Sequence, residues 1–119
     1  MTPPLTDHEK AVVALLRKIG ERRPSDRTIY WVDCGLHSGF PACCVAFFVK
    51  TWAPLKLSRR ASKADRAATD AYSAALCQVG QDGYVPCPDC FRIRRFVDVQ
   101  ECSRHLSDRA IARVRKALA

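Results

Sequence analysis

Apolar positions near the start of the chain recur with the 3.6-residue period of a helix that buries one face. Thr6 followed by Glu9 has the form of a capping box at a helix N-terminus. Gly20 ends the pattern, as glycine commonly ends a helix. The helix predicted between these signals carries an apolar stripe of Val12, Val13, Leu15, Leu16 and Ile19.

Two other stretches are typical of β-strands. Residues 28–32 are all β-branched or aromatic, which favours an extended chain. Residues 91–99 alternate in part between apolar and charged side chains, as a half-buried strand does. We therefore expect a short antiparallel sheet that includes these segments.

The remaining patterns predict further helices. Residues 34–41 form a predicted loop, and Pro41 opens a helix that runs to Pro54 and is apolar nearly all round. An alanine-rich helix follows over residues 62–79, and Ser107 caps the last one. The predicted fold is α+β, with three to four helices around the sheet. Its expected core comprises Val13, Leu16, Trp31, Phe47, Phe48, Trp52, Leu76 and Ile111.

The chain length limits the architecture to a single domain. A chain of 119 residues can bury only a modest core, so a structural metal ion would add significantly to its stability. We predict one zinc-binding domain over residues 1–119, with a helical part at 5–79 and a zinc-knuckle module at 84–118. No apolar run reaches the roughly 18 residues that span a bilayer, and the N-terminus lacks the pattern of a signal peptide. We therefore expect a cytoplasmic protein that does not enter a membrane.

Cysteine usage gives the most specific chemical signal. The chain has seven cysteines, an odd number that argues against a framework of disulfides. Cys87 and Cys90 enclose a Pro-Asp turn, and two thiolates at this spacing can chelate one tetrahedral ion. The sequence therefore predicts a Zn²⁺ site that includes both cysteines.

A tetrahedral ion needs two more ligands, and Cys102 with His105 is the nearer candidate pair. The spacing Cys-x2-Cys-x11-Cys-x2-His resembles that of a zinc ribbon or treble-clef finger, over about residues 84–118. Phe91 stands where such knuckles usually carry glycine. Closing this short loop costs less entropy than recruiting ligands from the first half of the chain.

Cys34, His37 and Cys43 form the alternative. They flank a loop with two glycines just before a predicted helix, and Cys44 could replace Cys43. If both sets bind metal, two zinc ions are possible. The sequence leaves the choice open.

A formal charge of +8 favours an acidic partner. Zinc modules often present arginines to phosphates, so we expect a structural zinc protein that binds nucleic acid. The residues predicted to bind nucleic acid follow the knuckle or lie on the last helix: Arg92, Arg94, Arg95, Arg109, Arg113 and Lys116.

Two other functions fit the same residues. The basic surface could bind an acidic face of a larger protein, as an adaptor or inhibitor such as a bacterial or phage accessory protein would. Alternatively, Cys43 or Cys44 near a helix N-terminus could be a nucleophile, with His37 as base and Asp33 orienting it. The sequence favours a protein that is not an enzyme.

Overall fold

The computed structural model describes residues 4–57, 60–78, 85–93 and 105–119, without the side chains of residues 56, 57, 77 and 78. In this part of the chain every regular element is helical. The elements are α1 (Asp7–Lys18), α2 (Asp26–His37), α3 (Ala42–Phe47), a π-helical turn (Phe48–Trp52), α4 (Ala53–Leu57), α5 (Lys63–Gln78), α6 (Pro88–Arg92) and α7 (Asp108–Leu118). Among these helices, none has the length and apolar character needed to cross a membrane.

The predicted α+β fold is wrong, because the described residues contain no strand and no sheet. Residues 28–32 lie inside α2, which begins after Ser25, whose side chain accepts a hydrogen bond from the Thr28 amide. Ile29, Val32 and Asp33 are buried on one face of α2, which has the helical i, i+3, i+4 spacing. Burial of this face outweighs the weak β preference of the segment. Of the second predicted strand, residues 91 and 92 belong to α6, and residues 94–99 lie outside the described residues.

The predicted first and last helices are confirmed. Thr6 caps α1 by accepting from the Glu9 amide, and Gly20 adopts a φ of 81° just beyond the helix. Ser107 caps α7 in the same way, by accepting from the amide of Ala110. Both helices therefore begin where their short polar side chains satisfy free backbone amides.

The core lies where α1 packs against α2 and α7, and where α2 packs against α3. Its buried residues are Val12, Val13, Leu15, Leu16, Ile29, Val32, Val45, Val49 and Val114. Of the predicted core residues, Val13, Leu16, Trp52 and Leu76 are buried, whereas Trp31, Phe47, Phe48 and Ile111 are only partly so.

A buried ion pair joins the first and last helices. Arg113 donates two hydrogen bonds to Glu9, from Nε at 2.9 Å and from Nη2 at 3.1 Å. Glu9 is almost fully buried, and the hydrogen bonds from Arg113 lower its pKa although burial acts in the opposite direction. The pair fixes how α7 lies on α1.

Candidate metal centres and basic surface

Four cysteines from two distant parts of the chain meet at one point. Cys43 and Cys44 lie in the first turn of α3, Cys87 is the N-cap of α6, and Cys90 lies within α6. Their sulfur atoms all lie within 4.8 Å of one another, and those of Cys43 and Cys90 are 3.6 Å apart. A cluster of four cysteines that could hold a metal ion is therefore present.

Local structure explains how α6 reaches α3. Pro88 occupies the first turn of α6, where its missing amide hydrogen is not needed. The hydroxyl of Tyr72 on α5 donates a 2.6 Å hydrogen bond to the carbonyl of Pro86, which fixes the chain just ahead of the cysteines. The Cys87 amide then donates to the sulfur of Cys44 at 3.3 Å.

A glycine on α2 sets the position of α3. A Cβ atom at Gly35 would lie 2.8 Å from Cγ2 of Val45, closer than real side chains pack. The absence of a side chain at Gly35 therefore lets α3 pack closely against α2. This packing positions the turn of α3 that carries Cys43 and Cys44.

Three of the four thiols are shielded from solvent. Cys44, Cys87 and Cys90 are buried, whereas Cys43 is exposed. Burial raises the pKa of Cys44 and of Cys90, and hydrogen bonds from the neighbouring cysteines raise that of Cys90 further. For Cys87, burial is outweighed by hydrogen bonds within the cluster, and its pKa is lowered. Since thiolates repel one another, four of them together require a cation.

Tyr72 borders the same cluster. Burial, followed by the charges of the nearby cysteines, raises the pKa of its hydroxyl to about 12. Its ring packs against Phe47, Trp52 and Phe91, at centroid distances of 5.5 to 5.9 Å. One side of the cysteine cluster is therefore covered by aromatic rings.

Of the other predicted ligands, Cys34, His37 and His105 are not members of this cluster. Cys102 is outside the described residues. The Nδ1 atom of His105 lies 3.3 Å from the sulfur of Cys34, and the His105 ring stacks on Tyr30. His37 pairs with Asp33, so the structure brings neither His105 nor His37 to Cys87 and Cys90. Of the alternative set, Cys43 lies in the cluster, and so does Cys44, its possible replacement.

A second group of potential ligands joins α1 to α2. Oδ1 of Asp33 lies 2.7 Å from Nε2 of His8 and 3.0 Å from Nδ1 of His37. The Oδ2 atom of Asp33 accepts a 2.8 Å hydrogen bond from the amide of Leu106. The two imidazole rings stack nearly parallel, with centroids 3.5 Å apart.

No sequence pattern indicates a role for His8, and for Asp33 the pattern predicts only the orientation of a catalytic histidine. The one available signal was the spacing of Asp33 and His37, which places both on one face if residues 33–37 are helical. The two glycines in residues 34–41 predict a loop instead, and in a loop this spacing places the two side chains on no common face.

The arginines predicted to bind nucleic acid have different environments. Arg92 is exposed, 3.9 Å from the carboxylate of Asp89, and Arg109 and Lys116 are exposed on α7. Arg113 instead binds Glu9. Arg94 and Arg95 lie outside the described residues.

An open cavity of about 870 Å³ lies between the end of α7 and the turn after α1. Its charged lining comprises Glu21 and four arginines, which are Arg17, Arg22, Arg23 and Arg115. Arg17 donates to the carbonyl of Ala117, whereas Arg115 binds the carbonyl of Pro24 and the carboxylate of Asp26. Arg22 and Arg23 are exposed. This basic groove, defined by the four arginines, was not predicted from the sequence because its members come from separate segments.

Comparisons with protein-family models, with curated proteins and with solved structures give no match to this chain.

Proposed function

We propose that this chain is a small basic protein built around one structural zinc ion held by Cys43, Cys44, Cys87 and Cys90. The observation that carries the proposal is the mutual proximity of the four sulfur atoms, all within 4.8 Å. Four thiolate ligands complete a tetrahedral zinc site and leave no position for a substrate, which favours a structural role over a catalytic one.

The spacing of the sulfurs supports a single ion. With Zn–S bonds of about 2.3 Å, tetrahedral geometry places the sulfurs about 3.8 Å apart. The 3.6 Å between the sulfurs of Cys43 and Cys90 is close to this value. An iron–sulfur cluster would place further atoms between its cysteines and hold their sulfurs farther apart.

The ion would fasten residues 85–93 to α3. Helix α6 has only five residues, and an isolated helix of that length is unstable in water. A zinc ion would join it to the much longer helical segment of residues 42–57, which packs on α2 and α5. The proposed role of the zinc is therefore to hold this short segment in place.

Substitution with Co²⁺ tests the thiolate site, because cobalt bound to thiolates shows sulfur-to-metal charge-transfer absorption that other ligands do not give. We expect full absorption from the wild type and from Cys34→Ser, and reduced absorption from Cys43→Ser and Cys90→Ser. Full absorption in Cys90→Ser would contradict the ligand set. So would a loss of absorption in Cys102→Ser as large as the loss in Cys43→Ser. Metal analysis of the purified protein should find zinc. If it found iron instead, the proposal of a zinc ion would be contradicted.

We further propose that the basic surface binds nucleic acid. The first support is the net charge of +8. The second is the exposure of Arg92, Arg109 and Lys116. The third is the basic groove, which lies at the end of α7. Arginine forks match phosphate oxygens in geometry, and neutralising phosphates releases counterions.

Anisotropy of labelled duplex and single-stranded oligonucleotides at a series of salt concentrations tests this second proposal. We expect affinity to fall steeply as the salt concentration rises. Arg22→Ala and Arg109→Ala should each weaken binding, and each should do so by a similar factor whatever the oligonucleotide sequence. Arg66→Ala on α5 is the matched control. No binding at low salt would contradict the proposal, and capture of an acidic protein after nuclease treatment would favour the adaptor alternative.

A further inference from the structure

The cluster of His8, Asp33 and His37 has the composition and placement of a metal site distinct from the four cysteines. Asp33 and His37 lie one turn apart on α2, and His8 faces them from α1. All three ligand atoms lie within 4.8 Å of one another. Two rigid helices therefore hold the three side chains together.

The charge of Asp33 is the first argument. Its side chain is only 2 % exposed, and among the described residues the basic groups that pair with it are the two histidines. A buried carboxylate requires a compensating positive charge. A divalent ion held by both imidazoles and the carboxylate would supply that charge.

The orientation of the carboxylate is the second argument. The Leu106 amide donates to Oδ2, so Oδ1 is left facing the two imidazoles. Backbone hydrogen bonds of this kind commonly fix the orientation of ligands at metal sites. The distances from Oδ1 to the two nitrogens, 2.7 and 3.0 Å, lie near the roughly 3.0 to 3.4 Å between neighbouring ligands of one ion. The two imidazole rings now stack within 15° of parallel, so binding of an ion requires them to tilt until both nitrogen lone pairs point at it.

We propose that Nε2 of His8, Oδ1 of Asp33 and Nδ1 of His37 bind a divalent first-row transition-metal ion. Two histidines and one carboxylate are a donor set typical of zinc and non-haem iron sites that keep open coordination positions. His8 and His37 are partly exposed, so water or an anionic oxygen ligand can reach the ion. This second site differs from the closed thiolate site, and it does not depend on it.

Native mass spectrometry of the full chain in excess Zn²⁺ counts the ions. We expect two per wild-type chain and one in His8→Ala and in His37→Ala. The matched control is His105→Ala, which removes the other histidine of the chain and should retain both ions. His8→Ala and His37→Ala variants that bind as many ions as the wild type would overturn the proposal, whatever the occupancy of the thiolate site.

Two spectroscopic measurements separate failure of this site from loss of fold or of the thiolate site. The Co²⁺–thiolate absorption should persist in His8→Ala, since that variant retains all four cysteines. In the wild type, Zn²⁺ should shift the ¹⁵N resonances of His8 Nε2 and His37 Nδ1 and leave those of His105 in place. Unchanged His8 and His37 resonances at saturating zinc would show a purely hydrogen-bonded cluster.

Discussion

The backbone amide of Cys87 donates a 3.3 Å hydrogen bond to the sulfur of Cys44, across 43 residues of chain. The contact is made by buried groups, so it couples the start of α6 directly to α3. Amide hydrogen bonds to a sulfur stabilise its thiolate form, the form that binds metal. The same contact joins α6 to α3 and would favour the thiolate form of Cys44 in a metal site.

Removal of the thiolate-bound ion should destabilise the fold. An ion that binds only the folded chain, at a free concentration a thousandfold above its Kd, stabilises it by about 4 kcal/mol. We expect EDTA to lower the midpoint of thermal unfolding substantially, and Zn²⁺ to restore it. Cys90→Ser should respond less to EDTA than Cys34→Ser does, because only the former lacks a ligand. Equal responses would argue that the cysteine cluster does not hold the ion.

Alkylation with iodoacetamide should depend on the metal at the four clustered cysteines. Cys43 is exposed, so without metal it should react ahead of the buried Cys44 and Cys87. Bound zinc should protect Cys43, because its sulfur would then be a ligand. Cys34, outside the cluster, should label at the same rate with and without zinc. Peptide mapping by mass spectrometry gives each rate, and metal-independent labelling of Cys43 would contradict its role as a ligand.

Gly35→Ala should disturb the approach of α3 to α2. The added methyl would meet Cγ2 of Val45 at 2.8 Å, and overpacking of a core commonly costs about 1 to 3 kcal/mol. The free energy of unfolding by urea measures the loss. Val45→Ala removes the opposing methyl groups, so the double variant should lose less than the sum of the two single variants. Additive losses would show that the contact does not limit packing.

The Glu9–Arg113 pair should make stability depend on pH in the acid range. The pKa of Glu9 is lowered from 4.5, chiefly by hydrogen bonds from Arg113. A carboxyl whose pKa falls on folding stabilises the protein above its unfolded pKa, and that stabilisation disappears as pH falls through the folded value. We expect the wild type to be more stable than Glu9→Gln, and the difference in their free energies of unfolding to be largest at neutral pH. That difference should shrink as the pH falls below about 4.5.

Glu21→Gln is the control for this dependence, because Glu21 is partly exposed and lies 3.7 Å from Lys50 in a surface pair of little energetic weight. Its stability relative to wild type should change little between pH 7 and pH 3. A difference between wild type and Glu9→Gln that stays constant over the same range would show that the pair does not shift the titration of Glu9.

The helix ends of α1 and α7 could be predicted because their signals are local. Thr6 and Ser107 each satisfy amides within three residues, so neighbouring sequence suffices to place them. The assignment of residues 28–32 failed because their β preference is weak, whereas burial of Ile29 and Val32 against α1 and α3 is not visible locally. The Cys87–Cys90 pair was likewise a local signal, and it does lie in a group that could bind metal.

The sequence by itself determined that Cys87 and Cys90 lie close enough to bind one ion together, since that requires only their spacing and Pro88. Only the tertiary structure decided which residues face them. Cys43 and Cys44 reach the pair because α2 and α3 pack closely at Gly35, and because Tyr72 holds Pro86. Loop-closure entropy favours the nearby His105, which instead contacts Cys34. That entropy cost grows only slowly with loop length, and burial of apolar helix faces is large enough to outweigh it.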